Sequence, residues 1–342
     1  MLDDLKLIHE RDQQDAFGVV EKQWQQLLHK YDVKLGDLGQ VQNIVWAGMG
    51  GSALPAQISL SWPGHILPLE ICRNYEIPEY VGPNTLFVAS SYSGNTEETL
   101  EALTQAEAKQ AKIVAMTAGG KLAERAKTAN YPLYLIPAHI QPRMTSLYFL
   151  KAIANLYEHL GLAQGLSNEL EASAKSLETI TKAWRPDVAT KDNPAKKLAL
   201  ELVGKSIVVY GGPKMQAVAN KFKIALNENA KNIAWWNQLP EFNHNEFIGW
   251  SSHPLEKPYA VVDIRSNLEH PRVQKRFELS ERLLSGKRPA PHVVEPQGKT
   301  VLEQMLWGLI FCDFVSLYLA ICNGVNPTPV ELVERFKAEM DK

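Results

Sequence analysis

Residues 86–100, Leu86-Phe-Val-Ala-Ser-Ser-Tyr-Ser-Gly-Asn-Thr-Glu-Glu-Thr-Leu100, decide the fold. Leu86 to Ala89 is a short apolar run with a β-branched residue, the pattern of a buried strand. From Thr96 the chain changes to good helix formers, with Leu100 and Leu103 spaced for one helical face. Between strand and helix lie five hydroxyls in seven residues: Ser90, Ser91, Tyr92, Ser93 and Thr96. Gly94 lets the backbone come close to a ligand. A helix start offers free N–H groups and the positive end of the macrodipole. A cap needs only one hydroxyl, so the excess favours a site for a phosphate monoester over a pure cap. The turn lacks the Gly-Lys-Ser/Thr ending of a nucleotide-triphosphate loop.

A chain of 342 residues implies two domains at roughly 150 residues each. Its hydrophobic content of 45% suffices for ordinary packed cores. The net charge of -2, with no long basic run, argues against nucleic acid and anionic membrane surfaces as partners. Met1 to Asp15 is charged with mixed sign and shows no signal peptide. Cys72, Cys312 and Cys322 lack metal-ligand spacing and read as reduced, buried cysteines of a cytoplasmic protein. Val301 to Cys322 has the apolarity of a membrane span. It contains Glu303, Gln304 and Asp313, and charges within a span are expensive. It reads as a long buried helix with apolar surface to offer a second subunit.

Residues 8 to 31 read as one helix, with Phe17, Val20, Trp24, Leu27 and Leu28 at helical spacing. Asn43 to Ala47 is the first strand. Gly48-Met49-Gly50-Gly51-Ser52 follows, then a helix from about Ala53. Glycines in that place allow a ligand close to the backbone, although this is not a full dinucleotide fingerprint. Ser52 is either the helix cap or a second donor to the same anion. Strands follow near 69–72, 86–89, 112–117 and 131–136, with helices between and a strong helix at 146–161. Alternation of this kind implies a parallel sheet covered on both faces. A polar helical region at 165–204, broken at Pro186 and Asn193-Pro194, marks the boundary between halves. Ser206-Ile-Val-Val-Tyr-Gly-Gly-Pro-Lys-Met then resembles Asn43-Ile-Val-Trp-Ala-Gly-Met-Gly-Gly-Ser, a weak internal repeat of one α/β unit. Its later strand, 259–264, leads into Arg-Ser-Asn-Leu-Glu-His. The hydroxyl-rich turn is missing there, so one composite site per chain is expected. The domains are set at residues 1–160, with the N-terminal helix and the phosphate loop, and 161–342, with the C-terminal helices.

Three further places carry chemistry. Pro142-Arg143-Met144 stands after a strand and before the helix at 146. A lone arginine is ordinarily a solvated charge, but this position at a strand's carboxyl end points it at the cleft. Glu228 lies one turn beyond Ala225 on the face marked by Val218, Phe222 and Ala225. A carboxylate near apolar surface becomes more basic, which suits a general base, while the bland reading is an exposed helix glutamate. Trp235 to Phe247 has no regular period and reads as a loop, either of the surface or of an active site. His244 sits there among polar side chains able to set its tautomer. The last stretch, from Asn326 to Lys342, is a helix with Val330, Val333 and Phe336 facing inward. Lys337 on it is a surface lysine on priors.

Gly48-Met-Gly-Gly51-Ser52, Ser91-Tyr-Ser93-Gly-Asn-Thr96-Glu-Glu-Thr, Pro142-Arg143-Met144, Asn227-Glu228-Asn229 and Asn243-His244-Asn245-Glu246 together resemble one family. It is the bifunctional phosphoglucose/phosphomannose isomerases of the sugar isomerase (SIS) superfamily. The resemblance runs in order from about residue 40 to the end. It implies an α/β fold of two SIS-type domains, each a parallel sheet flanked by helices around a flavodoxin-like nucleus. It implies a homodimer that interconverts glucose 6-phosphate and mannose 6-phosphate with fructose 6-phosphate, without metal or organic cofactor. By match, Gly51, Ser52, Ser91, Ser93 and Thr96 bind the substrate phosphate. Glu228 moves the proton between C1 and C2, and Arg143 stabilises the enediolate. His244 with Lys337 assists ring opening, and the histidine reaches the site from the neighbouring subunit. The rival is a non-catalytic SIS-type regulator that binds sugar phosphate. Such regulators add a basic helical DNA-binding domain, and the first 40 residues are too short and not basic enough for one.

Overall fold

The computed structural model describes residues 1–252 and 258–340. These fall into two compact units, Lys22–Glu178 and Met1–Glu21 together with Thr179–Lys342. The division lies at 178/179 rather than at 160/161, and the first 21 residues join the second unit. Their anchors are visible: Phe17 packs 4.8 Å from the Tyr318 ring, and the Asp3 carboxylate pairs with the Lys196 ammonium at 3.0 Å.

The single helix expected over 8–31 is three pieces: α1 (Leu5–Arg11), α2 (Ala16–Glu21) and a 3-10 turn at Gln23–Leu28. Asp12 causes the first break. Its carboxylate accepts the backbone N–H of Ala16 at 2.8 Å and of Phe17 at 3.0 Å, so it caps a new helix where the old one ends. The helical spacing survives in the burial of Phe17, Val20 and Leu27, while Leu28 is exposed.

The Lys22–Glu178 unit holds β1 (Asn43–Ala47), β2 (Leu69–Cys72), β3 (Thr85–Ser90), β4 (Lys112–Thr117) and β5 (Leu133–Leu135). All neighbours are parallel, in the order β2-β1-β3-β4-β5. The central strand β3 is buried at every residue, as a strand covered on both faces must be. The helices are α3 (Gly50–Ser61), α4 (Glu97–Ala108), α5 (Gly120–Thr128) and α6 (Ser146–His159). Leu147, Leu150, Ile153, Ala154 and Tyr157 of α6 are buried as their spacing predicts. Next, α7 (Leu166–Thr181) carries the chain across the boundary between units.

The other unit repeats the plan with one strand fewer. After α8 (Pro194–Leu202) come β6 (Ser206–Gly211), α9 (Gln216–Glu228) and β7 (Ala234–Gln238), then the short α10 (Glu246–Gly249). They are followed by β8 (Tyr259–Ile264), α11 (Pro271–Leu283) and β9 (His292–Val294). The sheet order is β7-β6-β8-β9, again all parallel. Strand β7 corrects the loop reading of Trp235–Phe247. It is an edge strand with Trp235 about half exposed, so it carries neither a buried apolar run nor a clean alternation.

Helix α12 (Val301–Cys322) closes this unit. It starts in a capping box: the Thr300 hydroxyl accepts from the Glu303 N–H, and the Glu303 carboxylate accepts from the Thr300 N–H. It is apolar on all sides and buried on all sides, packed by α2, α8 and α9. Among the described residues it is the one helix long and apolar enough to cross a membrane, and 94% of its most apolar window is buried inside the protein. Its apolar surface is therefore consumed within its own chain, which corrects its reading as surface offered to a second subunit. Helix α13 (Glu331–Met340) gives a second correction. Val333 and Phe336 face outward, at 48% and 65% exposure, with Leu332 exposed beside them, and Val330 is only half-buried. Residues 341 and 342 of the expected helix lie outside the described residues.

The Lys221 ammonium on α9 and the Asp313 carboxylate on α12 form an ion pair within this core, both at most 2% exposed. Nearby, the Asn229 side chain donates to the Ser316 hydroxyl at 2.8 Å, so the two helices are locked in register and run the same way. Removing one member strands the other in a low-dielectric interior. We expect Lys221→Met to destabilise the protein by about 3–5 kcal/mol in denaturant unfolding, and Lys221→Met with Asp313→Leu to recover most of that loss. A single variant within about 1 kcal/mol of wild type would contradict this account.

Candidate functional site

In the order β2-β1-β3-β4-β5 the connections leave β1 and β3 in opposite directions. This opens a crevice at their carboxyl ends, the place where open parallel sheets bind ligands. Gly51 and Ser52 follow β1 there, and the Ser91–Thr96 turn follows β3. One hydrogen bond closes the crevice floor: the Tyr92 backbone N–H donates to the Ser52 hydroxyl at 3.0 Å. Ser52 sits in the first turn of α3, whose N-cap is Met49, so Ser52 is not the cap.

The hydroxyls divide into scaffold and free donors. Ser90 donates to the Ser52 carbonyl, and the Tyr92 hydroxyl is held between the Pro137 carbonyl and the Ile140 N–H. Both serve the framework. Ser52 and Ser93 each accept a backbone N–H, from Tyr92 and Asn95, so each keeps its own proton to donate outward. Ser91 and Thr96 share one proton across 2.7 Å, which leaves the pair one more. Thr96 occupies the N-cap position of α4 without a side-chain cap bond, so capping does not use its hydroxyl. Gly94 is required where it stands: its φ is +72°, and a Cβ there would lie 1.8 Å from the Gly119 carbonyl oxygen.

Arg143 joins the same edge. It lies in a 3-10 turn at Pro142–Met144, pinned by the side chains of Gln23 and Gln26, which donate to the Met144 carbonyl. A Cβ on Gly51 would touch the Pro142 oxygen at 3.0 Å and the Arg143 nitrogen at 3.2 Å, so the two segments are in contact. Arg143 is 1% exposed, with Nη1 donating to the Gln141 side chain at 3.1 Å. This is a buried cation and not the solvated charge of an ordinary arginine. Gly51, Ser52, Ser91, Ser93, Thr96 and Arg143 thus gather at one edge of one sheet, with hydroxyl protons, helix starts and a guanidinium suited to an anion.

Glu228, His244 and Lys337 belong to the other unit. Glu228 is the last residue of α9 and half-buried. Lys231 is bound to the Glu228 carbonyl at 2.9 Å and to the Asn326 and Pro327 carbonyls at 2.9 and 3.0 Å. The end of α9 is thereby tied to the segment from which α13 departs. On α13, Lys337 is exposed and paired with Glu334 at 3.0 Å, the geometry of a surface lysine.

His244 ends a 3-10 turn that follows β7. The polar residues around it build the turn: Asn243 donates to Ser280, Asn245 to Glu241, and Glu246 accepts from Asn237. The His244 ring is exposed, and among the described residues no side chain fixes its tautomer as the sequence led us to expect. Glu228 and His244 lie at opposite edges of this sheet. Helix α9 carries the chain from the carboxyl end of β6 back to the amino end of β7, about 20 Å for its 13 residues, and His244 comes after the carboxyl end of β7.

Several curated proteins resemble this chain in sequence. The bacterial phospho-glucose isomerase C-terminal SIS domain matches residues 191–340. A bifunctional phosphoglucose/phosphomannose isomerase of Caldicellulosiruptor bescii is 33% identical over 88% of this chain and 90% of its own. One from Aquifex aeolicus is 30% identical over 96% and 99%. Among solved structures, a glucose-6-phosphate isomerase like protein from Thermus thermophilus aligns with a TM-score of 0.65 at 18% identity, covering 98% of each chain. That likeness concerns the fold alone. The fold and the relatives agree: the chain belongs to the family of bifunctional phosphoglucose/phosphomannose isomerases.

Proposed function

We propose that this enzyme interconverts glucose 6-phosphate and mannose 6-phosphate with fructose 6-phosphate through an enediolate. The observation that carries the reading is the set of unspent hydroxyl protons and the buried Arg143 at the β1/β3 crevice, which suits a phosphorylated substrate. Ser52, Ser91, Ser93 and Thr96 hold the phosphate, with Gly51 giving room for close approach. A grip on a non-reacting group positions the sugar and supplies binding energy for the reacting end.

The chemistry then needs three things. The C2 proton of an aldose is weakly acidic, so its removal needs a base matched with charge stabilisation at the developing oxyanion. Glu228 is the base and passes the proton between C1 and C2. Arg143 is the cation at the enediolate. A pyranose must first open, which needs proton transfer at the ring oxygen, and His244 with Lys337 is assigned to that step. Because the enediolate at C2 is planar, reprotonation on either face leads to glucose or mannose configuration.

The separation of Glu228 from His244 by the full depth of a sheet supports a homodimer in which His244 is supplied by the partner. One chain then offers the base and its partner the histidine, and the exposed ring of His244 is suited to reaching outward.

Glu228→Gln keeps size and hydrogen bonding while removing the basic oxygen. We expect it to lose at least about a thousandfold in kcat, to retain sugar-phosphate binding, and to stop exchange of the C2 proton with solvent deuterium. Turnover within tenfold of wild type would rule Glu228 out as the base.

Sharing between subunits is tested by mixing inactive parents. Glu228→Gln and His244→Ala subunits, unfolded and refolded together, form mixed dimers with one intact site. With random pairing about a quarter of wild-type activity returns for a two-fold dimer. If both residues serve one site from one chain, activity stays at the level of the parents.

A further inference from the structure

Glu246 follows His244 by two residues, and the sheet grips it. Tyr210 of β6 and Asn237 of β7 are partners in the parallel register, so their side chains stand on one face at one level. Each donates to a different oxygen of the Glu246 carboxylate: the Tyr210 hydroxyl to Oε1, and the Asn237 amide to Oε2 at 2.7 Å. Hydrogen bonds onto a charged acceptor are the stronger kind. Tyr210 is 1% exposed. Burial first, and then the Glu246 charge, push its phenol well above the usual range, so it stays protonated and stays a donor. The Trp250 indole N–H donates to the Tyr210 oxygen at 3.3 Å and completes the chain of bonds.

The ring of Tyr210 is held as well as its hydroxyl. It packs 4.6 Å from the Phe242 ring. The buried Arg288 guanidinium lies 5.6, 5.7 and 5.9 Å from the Tyr210, Phe242 and Trp250 rings, a cation shared by three aromatic faces. On the other side of His244, Asn243 donates to the Ser280 hydroxyl of α11 at 2.9 Å and accepts from the Arg276 guanidinium at 3.2 Å. The chain is thus anchored immediately before His244 and again at Glu246, while the His244 ring is exposed. Such anchors fix the backbone and leave the imidazole to meet something outside the turn. They also remove loop freedom that would otherwise be lost when the ring engages a substrate.

We propose that Glu246 is a positioning residue for His244: clamped by Tyr210 and Asn237, it sets the turn that presents the imidazole to the ring oxygen of the sugar. The inference rests on the assignment of His244 to ring opening, and it holds whichever subunit's site receives the imidazole. Glu246 itself touches no substrate. Both of its carboxylate oxygens are engaged by the sheet, and its effect passes through the backbone that it shares with His244.

Ring opening can be measured apart from isomerisation. Opening frees a planar C1 aldehyde that closes again to either anomer, so an enzyme that opens the ring speeds exchange between α- and β-glucose 6-phosphate. Glu228→Gln blocks isomerisation, and magnetisation-transfer NMR on the anomeric protons then follows that exchange alone. The Glu228→Gln enzyme should exchange the anomers faster than buffer does, and adding His244→Ala should abolish the gain. Adding Glu246→Ala instead should lower the saturated exchange rate at least about tenfold, with sugar-phosphate affinity unchanged within about twofold. Tyr210→Phe should do the same, and the two together should cost no more than one alone, because they release one clamp. A smaller loss in a folded Glu246→Ala protein overturns the proposal, as does a loss that lies in affinity alone, or losses that multiply when the two changes are combined. If Glu246→Ala does not fold, Tyr210→Phe, which removes a single oxygen, is judged by the same limits. Exchange in Glu228→Gln that is no faster than in buffer, or that survives His244→Ala, removes the ring-opening assignment and the proposal with it.

Discussion

The site depends on one hydrogen bond, from the Tyr92 N–H to the Ser52 hydroxyl across the β1/β3 crevice. Parallel strands in this order part at that point, and their two connections would otherwise end in separate solvent-facing loops. The bond ties the turn after β3 to the first turn of α3. Ser90 repeats the tie from the strand end by donating to the Ser52 carbonyl. The Tyr92 ring extends the frame to residues 137–140, just before Arg143. Loops that are distant in sequence are thus tied together, and the Ser52 and Ser93 hydroxyls, which accept backbone N–H groups, keep their own protons for another acceptor. A phosphate needs donors already fixed in place, because ordering them at the moment of binding would cost conformational entropy.

In the other unit, Glu228 stands at the end of helix α9. Its anchorage comes from α12, through the Lys221–Asp313 pair, the Asn229–Ser316 hydrogen bond and the Asn323 side chain on the Ala230 carbonyl. A helix that is apolar all round would slide easily against its neighbours. Polar pairs buried between α9 and α12 specify one register, and Lys231 completes the arrangement at the end. The two units thus differ in what they present: one a hydroxyl-rich turn at a crevice, the other a glutamate at the end of a helix.

Much of this was legible in the sequence because central parallel strands and their loops leave strong marks. The run Leu86–Ala89, the hydroxyl turn and the glycines after β1 are local signals, and the structure places them at one sheet edge. The burial of Val218, Phe222 and Ala225 followed from helical spacing. What escaped depends on tertiary context. Strand β7 lies at a sheet edge, where Trp235 is exposed and Asn237 and Gln238 are polar, so periodicity has nothing to register. The break at Asp12 is a capping event, visible only once its carboxylate is seen on Ala16 and Phe17. The apolar stripe of α13 has helical spacing, yet spacing does not say whether a face has a core to meet. The role of Tyr92 as scaffold depends on side-chain direction and has no sequence signature at all.

The central claim is catalytic: one site works on both C2 epimers because the planar enediolate is common to them. The most direct measurement is a coupled assay of purified protein that follows fructose 6-phosphate formed from glucose 6-phosphate and, separately, from mannose 6-phosphate, without added metal or cofactor. The account predicts turnover of both substrates, with each competing against the other for the same site. Turnover of neither, or turnover of both without mutual competition, would contradict it.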